Sequence, residues 1–311
     1  MPDSINIPNI GFQKTLNRKV VCDGIGLHSG LKIKMEIVPA EANHGIIFIR
    51  KDIPDNQKIY ASYKNVSDTK LGTTIINKAG YKVRTIEHLM AAFMGLKIDN
   101  VLVILSGSEV PIMDGSSKVF VDLINNIGIK EQFVPKKIIK ILRKVAVYDG
   151  KSSIIASPSE GFSIDYLIDF EDPAIGIQKQ KLTRLGNNFD KEISSARTFG
   201  MLKEVQYMHK NGLALGGSID NAIVVDNGKI LNPDGLRYKD EFVRHKILDL
   251  CGDIYLSGRH FIGNISAVCA GHKINNKFLW QLFSDKNNYR EIEENNIISV
   301  ESREEVASAV V

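Results

Sequence analysis

The order of strand and helix signals predicts an α+β fold of two similar domains, each a β-sheet packed against helices. Two observations carry this. The chain has 311 residues, enough for two cores. Each half then runs strands, a helix, a strand, a shaped loop and another helix, a repeat of architecture without visible sequence identity. The polar stretch Glu131 to Lys137, with Pro135, is the best boundary. It divides the chain into residues 1–133 and 134–311.

Composition narrows the function classes. Hydrophobic residues make up 43% and charged residues 24%, ordinary for a soluble globular protein. The formal net charge of +4 permits an anionic ligand. Nucleic acid is not expected as a partner, because no Lys/Arg cluster interleaves with aromatics. Cys22, Cys251 and Cys269 lie far apart with no C-x-x-C, which fits a reducing compartment and argues against a thiolate metal site. Met1 to Thr15 lacks the apolar core of a signal peptide. The longest aliphatic run, Val101 to Leu105, is too short for a transmembrane segment. A cytoplasmic protein is expected.

In the first half, Val20-Val21, Lys32 to Val38 and Gly45 to Arg50 read as strands between turn residues. Between the first two lies Asp23-Gly24-Ile25-Gly26-Leu27-His28-Ser29-Gly30. Its third glycine falls one residue late for a dinucleotide fingerprint, and a strand follows instead of a helix. It reads as a tight, glycine-permitted hairpin loop, and the loop alone does not say whether His28 does chemistry. Thr73 to Ile76 and Tyr81 to Arg84 are further strands. Thr85 is then a good N-cap for a helix running to Leu96. That helix is apolar nearly all round and so should be buried. Its bulky side carries Ile86, Leu89, Met90, Phe93, Met94 and Leu96. Glu87 and His88 share the other side with Ala91, Ala92 and Gly95. Burying a lone carboxylate is costly unless it is paired or bound to metal, and the small residues leave room for a partner. Asp99 to Leu105 is a buried strand. Glu109 to Ser116 is a loop shaped by Pro111 and Gly115, and a helix follows from Ser117 to about Asn126.

In the second half, strands are expected at Ile138 to Tyr148, Ser152 to Ser157, Phe162 to Phe170, Gln178 to Leu182 and Ala222 to Val225. Ser195 to Met208 reads as a short amphipathic helix, and Leu213 to Asp220 follows with a Gly-Gly turn. This insert is plain core or an apolar device for holding a ligand. Tyr238 to Asp253 reads as one long helix, with Val243, Ile247, Leu250 and Ile254 at helical spacing. Glu241, His245, Asp249 and Asp253 recur every fourth residue and form one polar stripe. By itself the stripe is the solvated face of an ordinary helix. Phe261 to Val268 is a strand, Gly271 to Lys277 a loop leading into a helix through Leu282, and the tail from Asn287 is charged and peripheral.

Together the two helices offer chemistry. His88, His245 and Asp249 give three ligands, the count of a catalytic zinc site that keeps a fourth position for water. Glu87, beside His88, stands where a general base belongs. Asp253 can hold a second imidazole in its charged form, and His272 is the natural candidate, suited to a general acid.

The ordered motifs Gly24 to Gly30, Val83 to Leu89, Pro111 to Ser116, Ala196 to Gly200, Phe242 to Asp249 and Gly271-His272 resemble the UDP-3-O-acyl-N-acetylglucosamine deacetylases. The resemblance runs from about Val20 to Lys277. It implies the zinc amidase of the committed step of bacterial lipid A synthesis, with the active site between the two domains. It implies one Zn2+ per chain on His88, His245 and Asp249, although Fe2+ also suits such a site. Glu87 would be the base, Thr198 would stabilise the oxyanion, and His272, held by Asp253, would protonate the departing nitrogen. Lys246 and Phe199 would meet the sugar and diphosphate of a UDP-linked acylated amino sugar. Leu202, Val205, Ala214, Ser218, Ile219, Ala222 and Val224 would line an acyl passage. A chain of about a dozen carbons offers roughly 10 kcal/mol gross at about 0.8 per buried CH2, part of which ordering takes back. Asp169-Phe170 matches the nucleotide region, whereas Glu171 and Asp172 depart from the expected pattern. A monomer is expected, with contact to a membrane surface left open. The alternatives are a zinc amidohydrolase acting on another acylated amine, and a non-catalytic binding protein.

Overall fold

The computed structural model describes residues 11–183 and 185–293. The first half contains β1 (Phe12–Leu16), β2 (Val20–Ile25), β3 (Lys32–Pro39), β4 (Ile46–Arg50), β5 (Lys58–Tyr60), β6 (Val66–Asp68), β7 (Thr74–Ile76), β8 (Lys82–Val83), α1 (Glu87–Leu96), β9 (Val101–Leu105) and α2 (Lys118–Ile127). Next come β10 (Ile129–Pro135), β11 (Lys137–Ile141), β12 (Val145–Asp149), β13 (Ser152–Ser157), β14 (Phe162–Asp169), β15 (Ile177–Thr183) and α3 (Leu185–Glu192). The chain continues with β16 (Phe199–Met201), α4 (Leu202–Lys210), β17 (Ile223–Asp226), β18 (Lys229–Ile230), α5 (Glu241–Ile254), β19 (His260–Val268), α6 (His272–Phe283) and β20 (Tyr289–Glu293).

The mixed α+β architecture matches the sequence expectation. A five-stranded sheet ordered β2-β3-β9-β4-β5 serves the first half, and a seven-stranded sheet centred on β19 serves the second. β3 shows why the alternating stretch pairs as it does. Ile33, Met35 and Ile37 point inward, while Lys32 and Lys34 face solvent. β19 is hydrogen-bonded to β11, β13 and β14 at different points along its length, which makes it the hub of the larger sheet. Two three-stranded sheets, β6-β7-β8 and β16-β17-β18, flank these. Among the described residues no helix is long and apolar enough to cross a membrane.

The two halves meet helix against helix, α1 on α5, with α5 lying over β14 and β15 and α6 over β12 and β13. α1 is buried from Glu87 to Gly95, as its all-round apolar sequence requires. Closeness at the crossing depends on Gly252, where a Cβ would fall 2.0 Å from the Glu87 carbonyl oxygen.

Several expectations are corrected. Thr85 is not the N-cap of α1. It sits at φ 56°, and Ile86 occupies the cap position. The polar stretch chosen as the domain boundary carries strand β10, paired antiparallel with β1, for which no strand was expected. Its polar side chains face solvent on a two-stranded ribbon, which a hydrophobic count overlooks. The strand expected from Ile138 to Tyr148 is two strands, β11 and β12. The helix expected over Ser195 to Met208 starts only at Leu202, and α5 starts at Glu241. His272 is the first residue of α6 and not part of a loop. The tail from Asn287 supplies edge strand β20 against β11 before it leaves the described residues. The polar stripe of α5 is buried, not solvated.

In an exposed helix, Gly→Ala gains up to about 1 kcal/mol. At Gly252 the sign should reverse. Gly252→Ala is expected to destabilise by about 3 kcal/mol, read as a lower urea midpoint at unchanged slope.

Candidate metal centre and active site

The stripe on α5 places Glu241, His245, Asp249 and Asp253 one turn apart, each no more than 3% exposed. Most of their partners come from other stretches of the chain. Glu241 accepts Arg197 Nε at 2.9 Å and Nη2 at 3.1 Å, together with the Arg197 backbone N–H at 3.0 Å. A bidentate guanidinium is a strong match for a buried carboxylate. This clamp fixes the segment before β16, and that segment carries the next interaction. The Ala196 carbonyl lies 3.0 Å from His245 Nδ1. With Nδ1–H donating there, Nε2 keeps its lone pair for a ligand. Burial also holds His245 neutral, with its pKa down at about 3.

His88 Nε2 lies 3.6 Å from Asp249 Oδ1, and His245 Nε2 lies 3.4 Å from the same oxygen. The imidazole rings stand edge to face with centroids 4.9 Å apart. The donor atoms of His88, His245 and Asp249 all lie within 4.8 Å of one another, and all three residues are buried. Asp249 Oδ1 has no hydrogen-bond partner. An orphaned, buried carboxylate oxygen between two imidazole nitrogens is costly on its own. Two imidazoles and one carboxylate also form a donor set that Zn2+ or Fe2+ accepts. The residues therefore fit a divalent cation. Burial opposes charge on Asp249, but its carboxyl is held well below the usual carboxylate range, with the Lys246 ammonium 2.7 Å from Oδ2.

Glu87 opens α1, with Oε2 accepting the Thr73 N–H at 2.9 Å. A Cβ on Gly72 would fall 2.7 Å from Glu87 Oε1, so a bare backbone lies beside the carboxyl group. Burial pushes the Glu87 carboxyl up from its ordinary value, against the pull of His272 and His88. His272 Nε2 faces Glu87 Oε1 across 3.9 Å. Behind it, His272 Nδ1 lies 2.7 Å from Asp253 Oδ2. Asp253 is held in turn by Thr73 Oγ1 at 2.5 Å and Asn275 Nδ2 at 2.8 Å. Burial opposes a charge on His272. The Asp253 carboxylate outweighs it, aided by Glu87 and Asp249, and the pKa is pushed up to about 10.

The loop at Pro111 to Ser117 ties both halves to this centre. Ser117 Oγ donates to the His88 carbonyl at 2.7 Å, and the Ser117 N–H donates to Ser194 O at 2.9 Å. The Thr198 N–H donates to Gly115 O at 2.8 Å. A Cβ on Gly115 would lie 3.4 Å from Thr198 Cγ2 and 1.9 Å from Asn221 O.

Phe199 follows, edge-on to Phe242 at 4.9 Å and to His245 at 6.2 Å, with Lys246 Nζ 5.5 Å above its ring. Beyond it lies a cleft of about 650 Å³ lined by Lys246, Leu202, Asp169, Phe170, Glu171 and Asp172, among others. Of the expected acyl-passage residues, Leu202 borders this cleft. Val205 is half-buried on α4, and Ala214 is buried at φ 54°. Ser218 and Ile219 are exposed in the following turn, with Ala222 and Val224 leading into and along β17. They occupy one flank of the molecule, around the sheet that also carries Phe199.

The sequence reading missed Thr73, Asn275 and the Arg197 clamp. Nothing local marks Thr73 and Asn275, and although Arg197 sits inside the Ala196 to Gly200 motif, its partner Glu241 is brought in by a different stretch of chain. Glu241 carried a signal, since it repeats the spacing of the ligands.

Residues 13–284 match the family described as LpxC: UDP-3-O-acyl N-acetylglycosamine deacetylase. The chain is 44% identical over 277 residues to UDP-3-O-acyl-N-acetylglucosamine deacetylases of Shewanella violacea, Shewanella sp. (strain W3-18-1) and Shewanella baltica. Each match covers 88% of this chain and 90% of the relative. With a buried His-His-Asp cluster beside the Glu87–His272 pair, and a family match spanning both halves, the chain belongs to the LpxC family of UDP-3-O-acyl-N-acetylglucosamine deacetylases.

Proposed function

We propose that this chain hydrolyses the N-acetyl group of UDP-3-O-acyl-N-acetylglucosamine in the cytoplasm. The products are acetate and UDP-3-O-acyl-glucosamine, and the reaction is the committed step of lipid A synthesis. The observation that carries the reading is the convergence of His88, His245 and Asp249 beside Glu87 and His272. Family membership supplies the substrate.

His88, His245 and Asp249 would hold one Zn2+, or Fe2+ in its place, and such a cation supplies Lewis acidity toward a water and an amide carbonyl. Glu87 takes the proton from the attacking water. Its burial suits a base working near neutral pH. Thr198, one residue after Arg197, supplies its hydroxyl to the developing oxyanion. His272, charged and anchored by Asp253 at Nδ1, keeps Nε2–H to donate to the departing glucosamine nitrogen. Lys246 and Phe199 orient the sugar and diphosphate, with Asp169 and Phe170 further along the cleft. Leu202, Val205, Ala214, Ser218, Ile219, Ala222 and Val224 accommodate the acyl chain. The protein acts as a monomer.

The first test is acetate release from UDP-3-O-acyl-N-acetylglucosamine, compared with the same nucleotide sugar lacking the 3-O-acyl chain. A large preference for the acylated sugar is expected. Equal rates would remove the acyl passage, and no release from either would remove the function.

Glu87→Gln should retain metal, measured by elemental analysis, while kcat falls about 100- to 10,000-fold. Asp249→Ala should lose the metal itself.

His272 gives a pH prediction with a definite sign. Its charged form is present below about 10 and is lost as pH rises through that value. The groups facing it are Asp253 and Asp249 from α5 and Glu87 from α1. The wild-type rate should therefore fall on the alkaline side. In His272→Gln that alkaline limb should disappear on a much lower plateau, and a limb left unchanged would exclude His272 as the acid.

A further inference from the structure

Glu109 lies in the loop after β9 and is fully buried. Its Oε1 accepts the His28 N–H at 2.9 Å and the Thr85 hydroxyl at 3.0 Å, and its Oε2 accepts the Ser29 N–H at 3.0 Å. Among the described residues it forms no ion pair. A buried carboxyl group satisfied only by uncharged donors from two separate segments fixes those segments relative to each other.

Both segments lead to Glu87. Thr85 stands two residues before Glu87, at φ 56°. A β-branched residue there is a genuine outlier, and such strain gathers at functional sites. The Glu109–Thr85 contact holds the chain in that turn, from which α1 departs with Glu87 and His88 side by side. Backbone bonds reinforce it on both flanks. The Arg84 N–H donates to Ser108 O at 2.9 Å, and the Val110 N–H donates to Arg84 O at 3.0 Å.

The second route runs through His28. Its Nε2 lies 3.3 Å from the Leu71 carbonyl. Leu71 precedes Gly72 and Thr73, the residues that lie against the Glu87 carboxyl and donate to it. Thr73 O also accepts the Ile86 N–H at 3.4 Å. The glycine-rich loop thereby gains a physical reason. A Cβ on Gly26 would fall 2.4 Å from Glu109 Oε2 and 2.3 Å from Ser29 Oγ. That glycine makes room for an internal carboxyl group.

We propose that Glu109 is a positioning residue for the deacetylase reaction, setting the placement of the Glu87 carboxyl through the Thr85 turn and the His28–Leu71 contact. This rests on the function proposed above for the same site.

The test uses the metal-loaded full chain with Glu109→Gln, Thr85→Val and Thr85→Ser. Thr85→Val keeps the shape and the β-branch but removes the hydroxyl, and Thr85→Ser restores it. Displacing a reacting group by about 1 Å can cost about 100-fold. Glu109→Gln and Thr85→Val should therefore lower kcat about 10- to 100-fold with KM changed by less than about twofold. Metal content and urea midpoint should stay near wild type in Thr85→Val, and Thr85→Ser should retain wild-type kcat. A kcat within about twofold of wild type in both Glu109→Gln and Thr85→Val would overturn the proposal. So would losses of kcat that only track lost metal or a lowered midpoint. If Glu109→Gln fails to fold, Thr85→Val decides, and wild-type kcat there overturns it. Wild-type chain that releases no acetate at all would instead overturn the function reading.

Discussion

The close crossing of α1 on α5 is the constraint on which the rest of the structure depends. Gly252 lets the backbone of one helix lie against the Glu87 carbonyl of the other. Only at that distance can His88, one residue further along α1, reach the same point as His245 and Asp249 on α5. The three donors come from two halves of the chain, so the centre is a product of tertiary packing and of neither helix alone. Hydrophobic burial around the crossing, including Phe93, Phe242, Leu248 and Ile254, supplies the force that holds polar groups where they would not otherwise go.

The same face of α5 buries three carboxyl groups and an imidazole, a costly arrangement in a low-dielectric interior. It is tolerated because each carboxyl group has a partner of its own, with only Asp249 Oδ1 left open between the two imidazoles. Arg197 neutralises Glu241, Lys246 stands against Asp249, and Thr73, Asn275 and His272 surround Asp253. The outcome is a division of labour along one helix. The first turn clamps the segment before β16, the middle turns present the candidate metal donors, and the last turn anchors His272. Removing a partner would leave its carboxyl unpaired and disturb a neighbour one turn away.

Much of this was legible in the chain because helical periodicity is a local property. The i, i+4 recurrence of Glu241, His245, Asp249 and Asp253 predicts a shared face, and the all-apolar surroundings of Glu87 and His88 predict burial. Strands with alternating patterns, such as β3 and β14, could be read for the same reason. Three kinds of feature were not legible. Thr85 looked like a cap, but its hydroxyl turns toward Glu109, a residue 24 positions away. The stretch 131–135 showed no strand signal, because a two-stranded ribbon needs little apolar surface and its partner strand lies near the start of the chain. The buried state of the α5 stripe depended on Arg197, Thr73 and Asn275, which only the tertiary fold delivers.

α4 differs from every other long helix here, since it contributes no buried side chain. Its residues can therefore change without altering core packing or the geometry of the metal donors. Leu202 and Val205 are the α4 residues of the proposed acyl passage, so tail preference set there would be mechanically separable from turnover.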